Sequence, residues 1–365
     1  MSRRRGLTLI ELVLALGLFA LLMLAAFRLL DRTLFMWRRA ETRRNVLAQA
    51  AAITDLFARD VRSLDGGARG DCVAEWVTFD TDGDAIAETK WPRIRLVRQA
   101  SAHDIARLRE QERAEQGGSA VDDEAPLETV RPALVEVVWL VVPASLVDPG
   151  ARAEGVLWRG ERRVGDRTTK SFFAPDFFGT SNRPPAGATH EVSGGVLWMQ
   201  LLFAGQTTTL DGSWTLSSEL AGASAAWDAW SRARPSPDFH AWNEPGAGVP
   251  KARATPVLPR RVRIELEIER PQDRLRRTVL AEAIEMGDSA LAVDDGERVP
   301  RGEDVFVLVD AEWMKVTSID GKHVAVTRAQ RGTLAKSHAR GALVHFGERL
   351  VREVPIAMYK EDWNL

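Results

Sequence analysis

The chain has one cysteine, Cys72, in 365 residues, so no internal disulfide framework holds it together. Its six histidines (His103, His190, His240, His323, His338 and His345) stand too far apart for the tight ligand spacing of a zinc site. HExxH, GxxxxGK[ST], GxSxG and CxxC are all missing. Nothing therefore argues for catalysis, and the expectation is that the protein is not an enzyme. An excess of charge is also missing. The formal net charge is −2, and beyond Arg3, Arg4 and Arg5 the basic residues are scattered, which removes any general case for a nucleic-acid partner. Finally, residues 7–27 lack charge altogether except at Glu11.

That apolar run is long enough to cross a bilayer at about 1.5 Å per residue. A charge at the centre of such a helix costs roughly 2.5–3.5 kcal/mol on insertion scales, so Glu11 needs a reason. The arginines before the run place the N-terminus in the cytoplasm and everything after about residue 30 on the far side. A cleavable secretory signal would be shorter, and Leu24-Ala25-Ala26 is a poor cleavage site. A twin-arginine signal using Ser2-Arg3-Arg4 is usually less apolar, and a plain signal anchor leaves Glu11 unexplained.

Gly6 followed by Leu7-Thr8-Leu9-Ile10-Glu11-Leu12 resembles the class III leader of type IV prepilins and type II secretion pseudopilins. The resemblance implies that a prepilin peptidase cuts between Gly6 and Leu7 and methylates the new Leu7 amine. Glu11 becomes the fifth residue of the mature chain. Phe or Met is commoner than Leu at the first mature position. The carboxylate of Glu11 can then meet the freed amine of a neighbouring subunit as helices stack. In a low-dielectric setting that pairing offsets much of the desolvation of both charges and penalises wrong register.

Past the apolar run, Leu34, Val46, Ala50, Ile53, Phe57, Val61 and Leu64 recur at helical steps and mark one apolar face. Arg38, Arg39, Arg43, Arg44, Arg59 and Arg62 read as a solvated face, and Asp65-Gly66-Gly67 is the stop signal. After Cys72 the pattern changes to strands: 73–79, 91–98, 135–142, 155–162, 196–203, 262–269 and 274–284. Alternation is clearest over 262–269, apolar on one face and charged on the other. The expected fold class is α+β: a long N-terminal hydrophobic helix, then an antiparallel β-sheet head of pilin-like kind, then a small all-β C-terminal module. The expected boundaries are a leader over 1–6, a transmembrane plus amphipathic helix over 7–66, and the head over 67–286. The module covers 287–347 and a C-terminal tail 348–365.

Leu258-Pro259-Arg260-Arg261-Val262-Arg263-Ile264-Glu265-Leu266 resembles the LPRxVRxxL strand of the J-type minor pseudopilin of type II secretion. Val137-Val138-Trp139-Leu140 with Leu157-Trp158-Arg159 is similar to a hairpin of the same family. The chain is longer than that family's pattern, with insertions at about 102–132, 172–191 and 204–256. The last holds Trp214, Trp227, Trp230 and Trp242; aromatics in such an insertion suit a partner surface, and the favoured reading is that they pin the insertion onto the sheet. The module's strands are expected at 289–293, 304–309, 312–319 and 323–328. Its stretch 326–338 resembles a compact β module of phage-tail and other extracellular proteins, with Ala329 at a position that is usually glycine. His338 is assigned to a turn hydrogen bond.

Asp80, Asp82, Asp84 and Glu88 place carboxylates at positions 1, 3, 5 and 9 of a turn, a spacing that suits a structural Ca²⁺. The plainer reading is a polar hairpin turn, since Asp and Gly dominate turns. No other cofactor is expected. The functional expectation is a minor pseudopilin of the bacterial inner membrane, with its head in the periplasm and its place at the pseudopilus tip. Its partners are other minor and major pseudopilins, the prepilin peptidase, the inner-membrane assembly platform and membrane lipid. The alternatives are a minor pilin of a type IV pilus or DNA-uptake filament and, from another class, a signal-anchored periplasmic binding protein.

Overall fold

The computed structural model describes residues 9–67, 69–80, 89–101, 104–106, 134–147, 154–165, 169–174, 176–179, 182–204, 215–216, 225–229, 258–269 and 277–356. The chain divides into two compact units, Met1–Ala48 and Gln49–Leu365. Helix α1 (Leu9–Arg62) begins in the first and ends in the second. In the first unit the large apolar side chains from Leu9 to Trp37 face outward, with Leu9 82% and Leu29 70% exposed. Among the described residues, α1 is the one helix long and apolar enough to cross a membrane.

The second unit holds strands β1 (Cys72–Phe79), β2 (Thr89–Gln99), β3 (Leu134–Pro143), β4 (Gly155–Arg163), β5 (His190–Ala204), β6 (Thr215–Leu216), β7 (Ala225–Asp228) and β8 (Arg261–Glu269). There follow β9 (Thr278–Val279), β10 (Ala290–Ala292), β11 (Phe306–Val309), β12 (Glu312–Asp320), β13 (His323–Gln330), β14 (Leu343–His345) and β15 (Gly347–Pro355). They form two sheets. The larger runs β15-β8-β5-β4-β3-β2-β1-β7, with β6 also on β5, and the smaller runs β10-β13-β12-β11-β14-β9. All pairings are antiparallel. A long helix followed by antiparallel sheet with an added β module is the expected α+β architecture.

The last turns of α1 cover the larger sheet. Ala50, Ile53, Phe57 and Val61 are buried, and Phe57 meets Trp139 edge-on with ring centroids 5.7 Å apart. Ile53, Phe57 and Val61 each contribute roughly 1.5–3 kcal/mol by leaving water, and the Ala50 methyl about 0.8 kcal/mol. The helix stops where Leu64 bridges to Arg98 and the Asp65 amide donates to the Val97 carbonyl, so the chain enters the sheet directly.

Two sequence boundaries need correction. The smaller sheet reaches back to Thr278, so its start lies before 287, and the expected strand over 274–284 shrinks to Thr278–Val279. The expected tail after 348 holds β15, which pairs along the whole of β8 from Gly347↔Glu269 to Pro355↔Arg261. The module is thus threaded into a head hairpin between two residues that face each other. At the return, a Cβ on Gly347 would lie 2.6 Å from the Ile268 carbonyl oxygen, so glycine alone fits the close approach. The module has its own core, built on Leu291, Val293, Val307, Val309, Met314, Val324 and Phe346.

The alternation of β8 has a use that periodicity does not reveal. Val262, Ile264, Leu266 and Ile268 are buried, but so are Glu265, Glu267 and Glu269 on the other face. Each acid meets a cation: Glu265 pairs with Arg349 of β15, Glu267 with Arg331 of the module, and Glu269 with Arg277 just before β9. The charged face is covered, not solvated.

Candidate functional site

Glu11 sits in the first described turn of α1, between Ile10 and Leu12, which are 74% and 53% exposed. A carboxylate there faces the positive end of the helix dipole, worth typically 0.3–1 kcal/mol. Around it the surface is apolar on every side, which is what a lipid or another such helix would cover. Gly6 and Leu7 lie outside the described residues, as do Asp82, Asp84 and Glu88 of the calcium reading; Asp80 follows directly on β1.

In the second unit, Asp60 binds the end of α1 to the sheet. It is fully buried, and Trp139 Nε1 donates to its Oδ2 at 2.8 Å. Arg159 donates through Nε to Oδ2 and through Nη2 to Oδ1, both at 2.9 Å. Arg98 Nε lies 3.0 Å from Oδ1, and its Nη1 donates to Asp104 at 2.7 Å. Glu161 closes the group on Arg159 at 2.8 Å. Burial works against ionised Asp104, yet hydrogen bonds from Arg98 and Ser101 outweigh it and hold its carboxyl well below the usual range. Trp139 and Arg159 face each other across β3 and β4, so the hairpin residues singled out in the sequence converge on one helix carboxylate. Sequence reasoning missed Asp60. Its signal was there: it stands in phase with Ile53, Phe57 and Leu64, an acid on an apolar stripe.

In the module, Glu312 is the corresponding buried acid. Arg328 grips it bidentately, with both contacts at 2.7 Å, and the amides of Ala329 and Lys336 donate to it at 3.1 and 3.0 Å. His338 lies 2.9 Å from Glu312 through Nε2 and 2.7 Å from Asp310 through Nδ1. Burial acts to raise the Glu312 pKa, but these donors hold it down to about 2. The recurring phrase over 326–338 is therefore a loop wrapped around one carboxylate, and His338 belongs to that wrapping.

At the junction of the two sheets, Arg331 is stacked near Trp313, Phe306 and Trp198, at 4.1, 4.2 and 5.1 Å from the ring centroids. Its Nη2 donates to Glu267 at 2.7 Å. Glu154, Glu269 and His345 bring ligand-type atoms within 4.8 Å of one another, a donor set of the kind that holds a metal. Here the Arg277 guanidinium pairs with both carboxylates and supplies the positive charge. Burial, reinforced by Arg277, lowers the His345 pKa to about 3, so the ring is neutral. Beside this junction lies a cleft of about 820 Å³ between the β1–β2 hairpin, β5 and the module, lined by Trp76, Lys90, Trp91, Trp198, Trp313 and Arg331 among others. Trp227 of the long insertion is fully buried and packs on Phe203 at 5.6 Å, as a pin onto the sheet; Trp214, Trp230 and Trp242 are outside the described residues.

Residues 1–27 match the family model of the prokaryotic N-terminal methylation motif. The chain therefore carries a prepilin-like leader joined to a helix capable of crossing a membrane, the N-terminal arrangement of type IV pilin-like and pseudopilin proteins. No curated protein and no solved structure matches the chain.

Proposed function

We propose that the protein is a minor pseudopilin of the J type in a type II secretion system. In this reading it is processed between Gly6 and Leu7, methylated on Leu7, and held in the inner membrane by α1 with its head in the periplasm. It joins the pseudopilus tip, where it starts the filament or contacts cargo, and has no catalytic step of its own. Its partners are other pseudopilin helices, the prepilin peptidase and the assembly platform. The observation that carries the reading is the methylation motif over 1–27 running into a helix whose apolar surface is exposed from Leu9 to Trp37. Further support comes from the head: the LPRRVRIEL strand is β8, an interior strand of the larger sheet, and the hairpin residues Trp139 and Arg159 both bind Asp60.

Glu11 is then the assembly residue, its carboxylate meeting the neighbour's amine. The test is a mass measurement on the purified chain, followed by Glu11→Leu in cells making the companion pseudopilins. The expected mass lacks residues 1–6 and gains one methyl group, and Glu11→Leu is expected to stay membrane-bound and folded but to drop out of filaments. A mature chain that retains Met1–Gly6, or a Glu11→Leu variant that assembles normally, overturns the proposal. The cleft favours a second reading, an anchored periplasmic binding protein. That protein would keep its activity when Glu11 is replaced.

A further inference from the structure

We infer that the outer edge of β15 is a docking surface for a second copy of this chain, the two strands pairing antiparallel about a two-fold axis at Val351. The surface lies wholly in the second unit, so this inference stands or falls separately from the reading of the N-terminus.

Sheet edges come first. The larger sheet ends in β15 and β7, and the smaller one in β10 and β9. Strand β7 has four residues, β10 three and β9 two, and very short edge strands offer little to an incoming chain. Strand β15 has nine. An edge of that length carries a row of backbone donors and acceptors that another strand can use in full.

Which groups point outward follows from one bond. In an antiparallel ladder both polar groups of a residue point to the same side, and the side alternates along the strand. The Ile356 amide donates to the Arg260 carbonyl at 2.9 Å, one step beyond the Pro355↔Arg261 pair of an unbroken register. Even-numbered residues of β15 therefore face β8. Gly347, Arg349, Val351 and Glu353 turn their N–H and C=O groups away from it, joined by the Pro355 carbonyl. Among the described residues no strand or turn engages these groups. Arg349, Val351 and Glu353 are also exposed, Val351 at 44%.

The order of the side chains selects the occupant. With two copies overlapped along all nine residues, outward residue meets outward residue and Val351 falls opposite Val351. Arg349 of each copy then stands opposite Glu353 of the other, Glu348 opposite Val354, and Leu350 opposite Arg352. Opposite charges directly across an antiparallel pair stabilise it and like charges disfavour it, and here no like charges are opposed. A slip of one residue would set Glu348 against Glu353 and Arg349 against Arg352, and would turn outward groups onto inward ones. Slips of two shorten the ladder. Pairs within each chain extend the match: Arg349 lies 2.7 Å from Glu265, and Glu353 2.8 Å from Arg261. Across the two copies the row reads Glu265, Arg349, Glu353, Arg261, with alternating sign. Arg352, the remaining cation of the strand, is held by Asp55 of its own α1. Edge charges repel most incoming strands, and this set admits a second copy in one register. Two-fold pairing uses up both edges, so assembly stops at two.

The test is sedimentation of the full chain in detergent micelles, with disulfide trapping to read the register. A single strand pair is a small interface, below about 1,200 Å², so a weak dimer that loosens with added salt is expected. Arg349→Glu and Glu353→Arg each oppose like charges twice, and each alone is expected to dimerise at least about tenfold more weakly. Both positions are exposed, so melting temperatures are expected to stay close to the parent's. In a mixture of the two variants every introduced charge faces its opposite, and association is expected to return to the parent's strength. Val351→Cys is expected to form a linked dimer, since opposed residues of this kind lie about 5.5 Å apart. Arg349→Cys is expected to link only when mixed with Glu353→Cys; Cys72 is buried and takes no part. A parent that stays monomeric up to about 0.5 mM, where a micromolar complex is saturated, overturns the inference. So does a dimer that Arg349→Glu leaves unchanged, a mixture no tighter than its components, a Val351→Cys variant that stays unlinked, or an Arg349→Cys variant that links to itself as readily as to Glu353→Cys.

Discussion

Ala329 holds a φ of +54°, in the left-handed region that costs an L residue roughly 1–2 kcal/mol. It is kept there by its amide, which donates to Glu312 at 3.1 Å. Glycine would remove the Cβ strain but lose more backbone freedom on folding, about 0.5–1 kcal/mol. Ala329→Gly is therefore expected to stabilise the module by up to about 1 kcal/mol, seen as a rise of a few degrees in melting temperature; a fall would contradict this reading of the loop. His345 makes a second prediction, about pH. Its folded pKa of about 3 lies below its ordinary 6.5, so the unfolded chain binds the proton first as pH falls. Its contribution is whole above pH 6.5 and is lost as the pH drops toward 3. The limiting slope of about 1.4 kcal/mol per pH unit implies a loss of roughly 2–3 kcal/mol by pH 4.5. Glu312 adds to the loss below 4.5, because its carboxyl must be protonated against donors that hold it at about 2. Denaturant melts of His345→Asn are expected to flatten between pH 6.5 and 4.5. An unchanged slope would place the acid sensitivity elsewhere.

Among the elements, the join between α1 and the sheet is the most exposed to a single change. Asp60→Asn keeps the shape but leaves Arg98 and Arg159 partly uncompensated in a buried setting. Breaking one partner of a buried ion group costs about 3–5 kcal/mol. Glu161 and Asp104 remain, so the lower end of that range is expected in chemical denaturation, together with faster hydrogen exchange at the end of α1. Strands with a clear apolar or alternating pattern, such as 135–142 and 262–269, were legible in the sequence because local pattern and burial agree there. Strand β15 was not. As an edge strand it carries Glu-Arg-Leu-Val-Arg-Glu over 348–353, with no apolar/polar alternation and every residue at least partly exposed, and its partner lies far back in the chain. Glu265, Glu267 and Glu269 were legible only as the charged face of a strand, and that this face is covered needed the placing of Arg349, Arg331 and Arg277. The prepilin-like leader was legible from six residues. The Asp60, Glu312 and Arg331 groups needed three dimensions, because each is assembled from segments distant in sequence.

At the scale of the molecule, the module enters and leaves through Glu269 and Gly347, which are register partners. Replacing residues 270–346 with Asn-Gly should close β8 and β15 as an ordinary hairpin, since that dipeptide suits a two-residue turn. The head is expected to keep its β-sheet circular dichroism and its membrane attachment. It should also be less stable, because Leu197 loses Leu308 and Trp313 from its packing. A head that no longer folds would show that the smaller sheet is part of its core. Glu11 and α1 are untouched by this excision, so assembly and the contribution of the module can be measured apart.

Threading the module into that hairpin has a consequence for proteolysis. A single protease nick in one of its loops would yield two bands on a denaturing gel. The C-terminal fragment would nevertheless stay clamped to the remainder, because β15 lies beside β8 over its full length. On a sizing column the clipped protein should elute with the intact one, and loss of the fragment would need the larger sheet itself to come apart.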